Sequence, residues 1–401
     1  MAYEEFLGMY QSKLTTAEEA VKVIKSGDWV DYGFGAGFPE LLDRALAARR
    51  DELTDVKIRG GLVIRPRIEV VESDPDQKAF SYYSWHIGDY ERKLQTRGLC
   101  KFMPMMLRSL PEMYRHHIRV DVAFVPVSRP DADGCCGLGI SNYAWRTIFE
   151  NARTVIFEIN ERLPRLQGVD GSHRVHLSEA DFIVEGEHEP LPIRTYRDPS
   201  AVDIEIAKRV VEEIPDGAVL SLGVGGVPFT VANMLAQSDK TDLGCHTGTI
   251  SDAFLALYKA GKLTNKKKEI DNGYSTWNLA MGSQELYDWL DNEPQLFHQV
   301  FRFLQMDSAE CLLSGCLLSS GSFYLGSANT DSLPMLFPPT TAALFHLYQL
   351  MFCKLCFALF HITHDIFKVS HIAVRIKRLC CQFKRDSFFP CYLLQKDVNC
   401  S

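Results

Sequence analysis

The chain has 401 residues, of which 46% are hydrophobic and 23% charged, and its formal net charge is -8 at pH 7. Single hydrophobic cores stop growing at about 250–300 residues, so this length predicts two domains. This moderate net negative charge excludes general binding to nucleic acid or to anionic membrane surfaces, and it favours a small-molecule partner.

The N-terminal segment predicts a helix in a cytoplasmic protein. Acidic residues at positions 4 and 5 and the lack of a continuous apolar stretch distinguish it from a secretory signal. Thr16 with Glu19 three residues later predicts a helix start, and Gly27 predicts the helix end. Only four of the 12 cysteines lie in residues 1–300, the usage expected in a reducing compartment.

Three short apolar runs in the first half predict β-strands. They read DVKIRGGLVI from residue 55, VDVAFVPVS from residue 120 and TVIFEIN from residue 154. Helical patterns and turns rich in Gly, Pro or Asp separate them, which favours parallel strands joined by crossover helices. We therefore expect an α/β fold.

One local sequence pattern occurs twice in the chain. GDWVDYGFGAGFPELLDRAL from residue 27 and GAVLSLGVGGVPFTVANML from residue 217 both contain a short strand, a Gly-x-Gly-small turn, a proline and a helix. The matched pairs are Gly33 with Gly223, Gly35 with Gly225, Ala36 with Gly226, and Pro39 with Pro228. Such a repeat predicts two halves of similar topology.

The second copy of this turn is a candidate binding site. Glycines between a strand and a helix let the backbone approach a ligand, and the helix start presents free N–H groups to negative charge. The turn is thus either an oxyanion hole or phosphate cradle, or a tight turn that binds nothing. A segment about twenty residues later, LGCHTGTISDAF at 243–254, would end a neighbouring strand at the same sheet edge. The GxGG spacing differs from the GxGxxG dinucleotide motif.

The chain changes character near residue 300. Residues 301–401 carry eight of the 12 cysteines and nine Lys and Arg against six Asp and Glu. An apolar stretch at 342–362 has the length of a membrane span, but Lys354 interrupts it. A divergent domain is a second reading. We favour a third, a non-homologous tail from a frameshift, a wrong splice or a gene-model error.

Several ordered motifs in residues 1–300 carry a family resemblance. VEEIPDGAVLSLGVGGVP from residue 211, DLGCHTGTISDAFLALYKAGKLTNKKKEIDNG from 242 and MGSQELYDWLDNEP from 281 resemble the acetyl-CoA hydrolase/transferase family, in particular 4-hydroxybutyrate and butyryl-CoA:acetate CoA-transferases. VSRPDADGCCGLGISN from 127, RTVIFEINERLPR from 153 and HLSEADFIVEGEHEPLP from 176 resemble it in order and spacing.

This resemblance implies an organisation and a reaction. It implies two similar open α/β domains of the CoA-transferase type: residues 1–200 as the N-terminal domain, 201–300 as the first part of an incomplete C-terminal domain, and 301–401 as the tail. It implies ping-pong transfer of CoA between acyl-CoA and a short-chain carboxylate such as acetate through a glutamyl-CoA enzyme. It also implies a homo-oligomer that needs no metal or redox cofactor, since the CoA thioester is the substrate.

The resemblance also implies the site. The family's glutamate nucleophile follows a His-Thr pair, and this position is Gly248 here. The residues expected to bind substrate or form the oxyanion hole are Gly223, Gly225, Gly226, Pro228 and His246, with Gly225 and Gly226 the best oxyanion-hole candidates. We expect neither Asp252 nor Cys245 to replace the missing carboxylate.

Three functions therefore remain open from the sequence. They are a CoA-transferase, an acyl-CoA-binding protein without turnover, and an acyl-CoA hydrolase. Lysines in the segment KLTNKKKEIDNG, which begins at residue 262, could meet CoA phosphates, but we interpret them as a solvated loop face.

Overall fold

A computed structural model describes residues 3–35, 37–65, 67–105, 109–141, 144–166, 168, 173–292, 297–299 and 323–325. The side chains of residues 3–6, 297–299 and 323–325 are outside the description.

The described chain contains both strands and helices. The strands are β1 Trp29–Phe34, β2 Val56–Gly61, β3 Phe80–Ser84, β4 Cys100–Phe102, β5 Val122–Val127, β6 Cys135–Gly137, β7 Thr154–Ile159, β8 Arg174–His176, β9 Phe182–Glu185, β10 Val219–Leu222, β11 Gly244–Ile250, β12 Ser275–Ala280, β13 Phe297–Gln299 and β14 Phe323–Leu325. The helices are α1 Tyr3–Lys13, α2 Ala17–Ala20, α3 Glu40–Ala47, α4 Glu69–Glu72, α5 Asp89–Thr96, α6 Leu110–His116, α7 Trp145–Asn151, α8 Ala201–Glu213, α9 Gly226–Gln237, α10 Asp252–Lys259 and α11 Gln284–Asn292.

The three predicted strands are confirmed as β2, β5 and β7. They belong to a seven-stranded sheet in the order β4-β3-β2-β1-β5-β7-β9, in which every pair is parallel. Thr16 is the N-cap of α2, and its hydroxyl accepts the N–H of Glu19 at 3.3 Å. The helix is shorter than the pattern suggested, because it tightens into a 3-10 turn at Val21–Val23 and ends before Gly27.

A second parallel sheet repeats the first. Its order is β13-β12-β11-β10-β14, and the order β4-β3-β2-β1-β5 in the first sheet corresponds to it strand by strand. In both sheets the strand before the Gly-rich turn is followed by a helix, α3 or α9, and then by its parallel neighbour. The predicted α/β class with two similar open sheets is therefore confirmed.

Buried apolar side chains form three clusters. One lies between β1–β3 and the helices α2 to α4, and a second lies between β5, β7 and the helices α6 and α7. The third surrounds β10–β12 and includes side chains from α8 to α11. In the part of the chain that the structure describes, no helix combines the length and apolar character needed to cross a membrane.

Strand β12 of the second sheet contacts the first half through the backbone of the segment between β6 and α7. The N–H of Ala280 donates to the carbonyl of Ile140 at 2.9 Å, and Ser141 forms an isolated antiparallel bridge with Leu279. Gly35 has φ +75°, and a Cβ there would stand 2.7 Å from Ser141 Oγ and 2.9 Å from Leu279 Cδ1. Glycine is required at this contact, because any other residue would be strained and would collide.

Carboxylate side chains bind N–H groups at the ends of strands and helices, and two of them, Asp121 and Glu158, are buried. Asp121, just before β5, accepts the N–H of Trp29 at 2.8 Å, and Asp181, before β9, accepts that of Val155 at 2.8 Å. At the other end of the first sheet, Glu158 accepts two N–H groups from the first turn of α3. Parallel strands and helix starts leave such donors unpaired, and leaving them buried and unsatisfied is costly.

The domain boundaries expected at residues 200 and 300 stay predictions. Met1–Ser327 forms one compact unit that contains both large sheets. The predicted tail, its apolar stretch at 342–362 and the incompleteness of the second domain concern residues outside the described part, apart from the backbone of β14.

Asp43 provides a test of how these carboxylates affect stability. It is fully buried and accepts N–H groups from Glu69 at 2.6 Å and Val70 at 3.3 Å, at the start of α4. Burial, against these hydrogen bonds, raises the pKa of Asp43 to about 7. Between its ordinary pKa of about 4 and pH 7 the folded state holds a proton that the unfolded state releases, so unfolding free energy falls as pH rises. We expect Asp43→Asn to remove a slope on the order of 1 kcal/mol per pH unit, measured by urea denaturation at pH 5 and pH 7.5.

Asp203 is the matched control with the opposite sign. Hydrogen bonds from the backbone and hydroxyl of Ser200 lower its pKa. Its stabilising effect is therefore present at neutral pH and is lost as the pH falls. Asp203→Asn should cost about 1 kcal/mol at pH 7.5 and leave the slope between pH 5 and 7.5 unchanged. An unchanged slope in Asp43→Asn would contradict the assignment.

Candidate functional site

The predicted site residues lie at the carboxyl ends of β10 and β11. Val219 pairs with Gly244 and Leu220 with Cys245 in the parallel register. Two residues further along, the hydroxyl of Thr247 donates to the carbonyl of Leu222 at 3.2 Å. Gly223 and Gly248 come directly after these two residues, so the structure brings the Gly-rich turn and the predicted nucleophile position to adjacent places on one edge.

The Gly-rich turn leads directly into α9. Gly225 is the N-cap residue with φ +155° and no side-chain cap, Gly226 is the first helical residue, and Pro228 is buried in the first turn. The first N–H groups of a helix have no intrahelical acceptors and carry partial positive charge. With no capping side chain at Gly225, this helix start is suited to a carboxylate, phosphate or oxyanion.

A segment before α8 covers the start of α9. The Tyr196 ring stacks on Phe229 of α9 with centroids 4.6 Å apart and planes 3° apart. A Cβ at Gly226 would lie 3.9 Å from Nε of Arg197 and 3.9 Å from a carboxylate oxygen of Asp203. These residues surround the turn with an aromatic wall and an ion pair whose N···O distance is 3.5 Å. The sequence analysis did not identify them, because nothing in their spacing links residues 196–203 to the turn.

Gly248 lies within β11 and is half-buried. It is not among the described glycines with positive φ, whereas Gly225 is. The backbone at 248 is therefore extended in a way that other residues also adopt, and no conformational reason demands glycine there. The position lies in the strand next to the Gly-rich turn and carries no side chain.

The position in the first half that corresponds to Gly248 is filled by neighbouring side chains. Trp29 pairs with Lys57 as Val219 pairs with Gly244, so the repeat places Gly61 where β11 has Gly248. A Cβ at Gly61 would lie 3.1 Å from the Trp85 ring and 3.3 Å from the Phe34 ring, and these two rings are stacked 4.7 Å apart. The first half therefore fills this place with aromatic packing.

His246 lies two residues before Gly248 and is 7% exposed. Burial, with a smaller contribution from the nearby Lys268 charge, lowers the pKa of His246 to about 4. The imidazole is therefore neutral at pH 7. It can donate or accept a hydrogen bond but does not add positive charge to the site.

The other two candidate nucleophiles, Asp252 and Cys245, have structural surroundings that disfavour a nucleophilic role. Asp252 accepts hydrogen bonds from the N–H of Ser283 at 3.0 Å and from its hydroxyl, which secures the start of α11. Cys245 is fully buried, and burial raises the pKa of its thiol to about 12. A thiol that stays protonated at pH 7 is a poor nucleophile. Both observations support the expectation that neither residue replaces a carboxylate at 248, which stays a prediction.

The lysine-rich segment corrects the sequence interpretation. Lys268 is only 4% exposed, and its ammonium group donates to the carbonyls of Cys245 and Tyr274 and to the Thr276 hydroxyl. Lys262 donates to the carbonyl of Ser238 at 2.9 Å. The prediction of a solvated face was therefore wrong for Lys268, because its stem lies along β11 and carries the charge inward.

A separate cleft of about 260 Å³ lies beyond the carboxyl end of β5. Its lining residues are Ser128, Arg129, Asp131, Cys135, Gly137, Arg165, Leu166, Arg174 and Asp291. Two of the three arginines are paired with carboxylates, Arg165 with Asp291 and Arg174 with Asp131. Within the described ranges, no group of three or more His, Cys, Asp or Glu side chains is arranged to hold a metal ion.

Comparison with known proteins gives consistent results. Residues 3–194 match the model of the acetyl-CoA hydrolase/transferase N-terminal domain. The chain is 43% identical over 289 residues to a butyryl-CoA:acetate CoA-transferase of Anaerostipes caccae, covering 71% of this chain and 64% of the relative. It is 32% identical over 299 residues to a 4-hydroxybutyrate coenzyme A transferase of Clostridium kluyveri, covering 74% and 67%.

A solved structure shares the fold. RipA from Yersinia pestis superposes with a TM-score of 0.68 at 31% identity, over 75% of this chain and 70% of that one. The chain spans just under two thirds of the length of the butyrate-type relatives, 65% and 64%.

The two neighbouring glycines of the turn should respond differently to alanine. Gly225→Ala places a Cβ at φ +155°, and we expect it to cost about 1–2 kcal/mol of stability and to weaken anion binding at the start of α9. Gly226→Ala is the matched control: it lies in a helix, and its nearest neighbours would be 3.9 Å away. It should change stability by less than about 1 kcal/mol, in the stabilising direction. Equal effects of the two substitutions in urea denaturation would refute this account of the turn.

Proposed function

The chain belongs to the acetyl-CoA hydrolase/transferase family, and on this premise we propose that it is built for CoA transfer between an acyl-CoA and a carboxylic acid. The preferred substrates are short-chain acyl-CoA or 4-hydroxybutyryl-CoA, with acetate as the partner acid, in the cytoplasm. The A. caccae and C. kluyveri relatives are named for reactions of this class. The observation that supports the site is the adjacency of the uncapped α9 start and position 248 at one sheet edge.

In the proposed ping-pong reaction the nucleophile is a carboxylate, expected at the position that Gly248 occupies in this chain. This carboxylate attacks the thioester carbonyl, CoA leaves as a thiolate, and an enzyme-acyl anhydride remains. The thiolate then attacks the enzyme's own carbonyl, which releases the first acid and leaves an enzyme thioester. A second acid reverses both steps and departs as its CoA thioester. Backbone N–H groups at Gly225 and Gly226 stabilise the oxyanions that develop in each step.

Because residue 248 is glycine, the chain lacks the carboxylate on which these reaction steps depend. Asp252 and Cys245 are held by structural contacts, and His246 is a buried neutral imidazole. We therefore propose that the chain as it stands binds acyl-CoA and does not form a glutamyl-CoA enzyme. This acyl-CoA-binding role is the second candidate function, and the glycine at 248 is the observation that favours it.

Restoring the carboxylate tests the proposal. We expect the native chain to bind acetyl-CoA saturably without exchanging label between acetate and acetyl-CoA. Gly248→Glu should raise the exchange rate by roughly a hundredfold or more, because even a displacement of about 1 Å of a reacting group costs that much. Borohydride in the presence of acyl-CoA should inactivate the Gly248→Glu variant by reducing its thioester, and Gly248→Gln, which has the same size, should gain nothing.

Two other outcomes would change the assignment. Label exchange by the native chain at the rate of Gly248→Glu would show that position 248 is not the nucleophile position. Release of free CoA from acetyl-CoA in the absence of any acceptor acid would identify a hydrolase. Loss of acetyl-CoA binding in Gly225→Ala but not in Gly226→Ala would support the α9 start as the binding place.

A further inference from the structure

The cleft beyond the carboxyl end of β5 lies where several segments of the chain meet. The loop after β5, strands β6 and β8, the loop after β7 and helix α11 all contribute to its lining. Its volume of about 260 Å³ is just under the roughly 300–1,000 Å³ of pockets that hold drug-sized ligands. Its described lining residues include none of the predicted site residues on β11 and at the start of α9. The cleft therefore suits a small ligand, at a place apart from Gly248.

One wall of the cleft is fixed by close backbone packing. A Cβ on Gly137 would stand 3.2 Å from the carbonyl oxygen of Leu166 and 3.3 Å from that of Pro164. The N–H of Gly137 donates to the Ser128 hydroxyl at 2.8 Å, and the N–H of Ser128 donates to the carbonyl of Gly137 at 2.9 Å. Strand β6 is thus held directly against the loops that follow β5 and β7, and the cleft between them is part of the fold.

Two of the three arginines that line the cleft have carboxylate partners. Arg174 pairs with Asp131 and lies 3.6 Å from a second carboxylate, Asp133, which is 82% exposed. Arg165 is held more loosely, since its Nε and Nη2 atoms lie 3.3 Å and 3.4 Å from the two carboxylate oxygens of Asp291. The same carboxylate accepts the backbone N–H of Arg165 at 2.8 Å. Asp291 is therefore secured by the backbone as well as by the side chain.

Arg129 differs from the other two arginines. Among the residues that the structure describes, its guanidinium forms no ion pair. The thiol of Cys135 also lines the cleft, and burial raises its pKa, so it stays protonated at neutral pH and does not offset this charge. The lining residues thus carry three Arg against two Asp. Arginine presents a planar fork of donors that matches the oxygens of a carboxylate or a phosphate.

We propose that this cleft is a binding site for a small organic anion, whose carboxylate or phosphate group is bound by Arg129 and Arg165. Arg129 supplies the positive charge that the lining does not neutralise. Arg165 shares its donors between Asp291 and the anion, because its contacts with Asp291 are long and its side chain is 48% exposed. Leu166 and the backbone of Gly137 contact the rest of the ligand. The proposal is independent of any reaction at position 248.

Cys135 provides the readout of binding. It is half-buried in the cleft, whereas Cys136 beside it is buried. The rate at which N-ethylmaleimide alkylates Cys135 of the full chain at pH 8.5 is followed by mass spectrometry, with fragmentation to assign the label. Inorganic phosphate or succinate is added in increasing amounts, and KCl keeps the ionic strength constant. We expect one or both anions to slow alkylation saturably; protection by phosphate alone identifies a phosphate site, and protection by succinate alone identifies a carboxylate site.

Three variants test which charges hold the anion. Arg129→Gln should raise the half-protecting anion concentration by roughly tenfold, the effect of losing one charge-assisted hydrogen bond. Asp291→Asn keeps an oxygen for the N–H of Arg165 but removes the charge that competes with the anion, so it should lower that concentration about two- to fivefold. Arg92→Gln is the matched control, because Arg92 is an exposed arginine on α5 outside the cleft. It should leave protection unchanged.

The outcomes that overturn the proposal are equally direct. Absence of protection by both anions would show that the cleft binds neither group. The same half-protecting concentration in Arg129→Gln as in the native chain would exclude Arg129 as an anion ligand. Arg129 is exposed, so this variant should keep the urea midpoint of the native chain. If it does not fold, Asp291→Asn decides, and an unchanged half-protecting concentration in that variant would overturn the proposal.

Discussion

The structure depends on how the backbone N–H and C=O groups at the ends of parallel strands and at helix starts are satisfied. Parallel sheets leave these groups exposed along two edges, and a buried group without a partner costs free energy comparable to a lost hydrogen bond. In this protein side chains bind these groups. Asp121 accepts an N–H at the start of β1, Glu158 accepts N–H groups at the start of α3, and Lys268 donates to a carbonyl at the start of β11. The start of α9 differs, because its N-cap is Gly225 and provides no side-chain cap.

This difference separates two halves that are otherwise alike. In the first half, the Gly-rich turn packs against Ser141 and Leu279, and the stacked rings of Phe34 and Trp85 cover Gly61. The carboxyl edge of that sheet is therefore used for packing and for contact with the second half. In the second half, the same positions remain accessible at Gly248 and at the start of α9. The two similar units therefore differ at this edge, which is filled by packing in the first half and partly exposed in the second.

The chemistry of the second edge is constrained as much by its neighbours as by position 248. The thiol of Cys245 and the imidazole of His246 are both held in uncharged forms by burial. The carboxylate of Asp252 secures the next helix. Lys268 donates a hydrogen bond to the carbonyl of Cys245 at the start of the strand. These neighbours set the environment of position 248, where the proposed function expects a carboxylate and Gly248 carries none.

The sequence by itself determined the α/β class, the parallel strands, the repeat and the place of the Gly-rich turn, because apolar runs, Gly-Pro turns and Thr16 are local signals that act within a few residues. It also identified the family, through ordered motifs. Only the tertiary structure decided that Lys268 is buried, that Tyr196 stacks on α9, and that Gly61 is buried while Gly248 is partly exposed. These outcomes depend on contacts between segments that are far apart in the chain. The physical reason is that burial and hydrogen-bond partners, and not the residue type, decide whether a lysine or a glycine faces solvent or the protein interior.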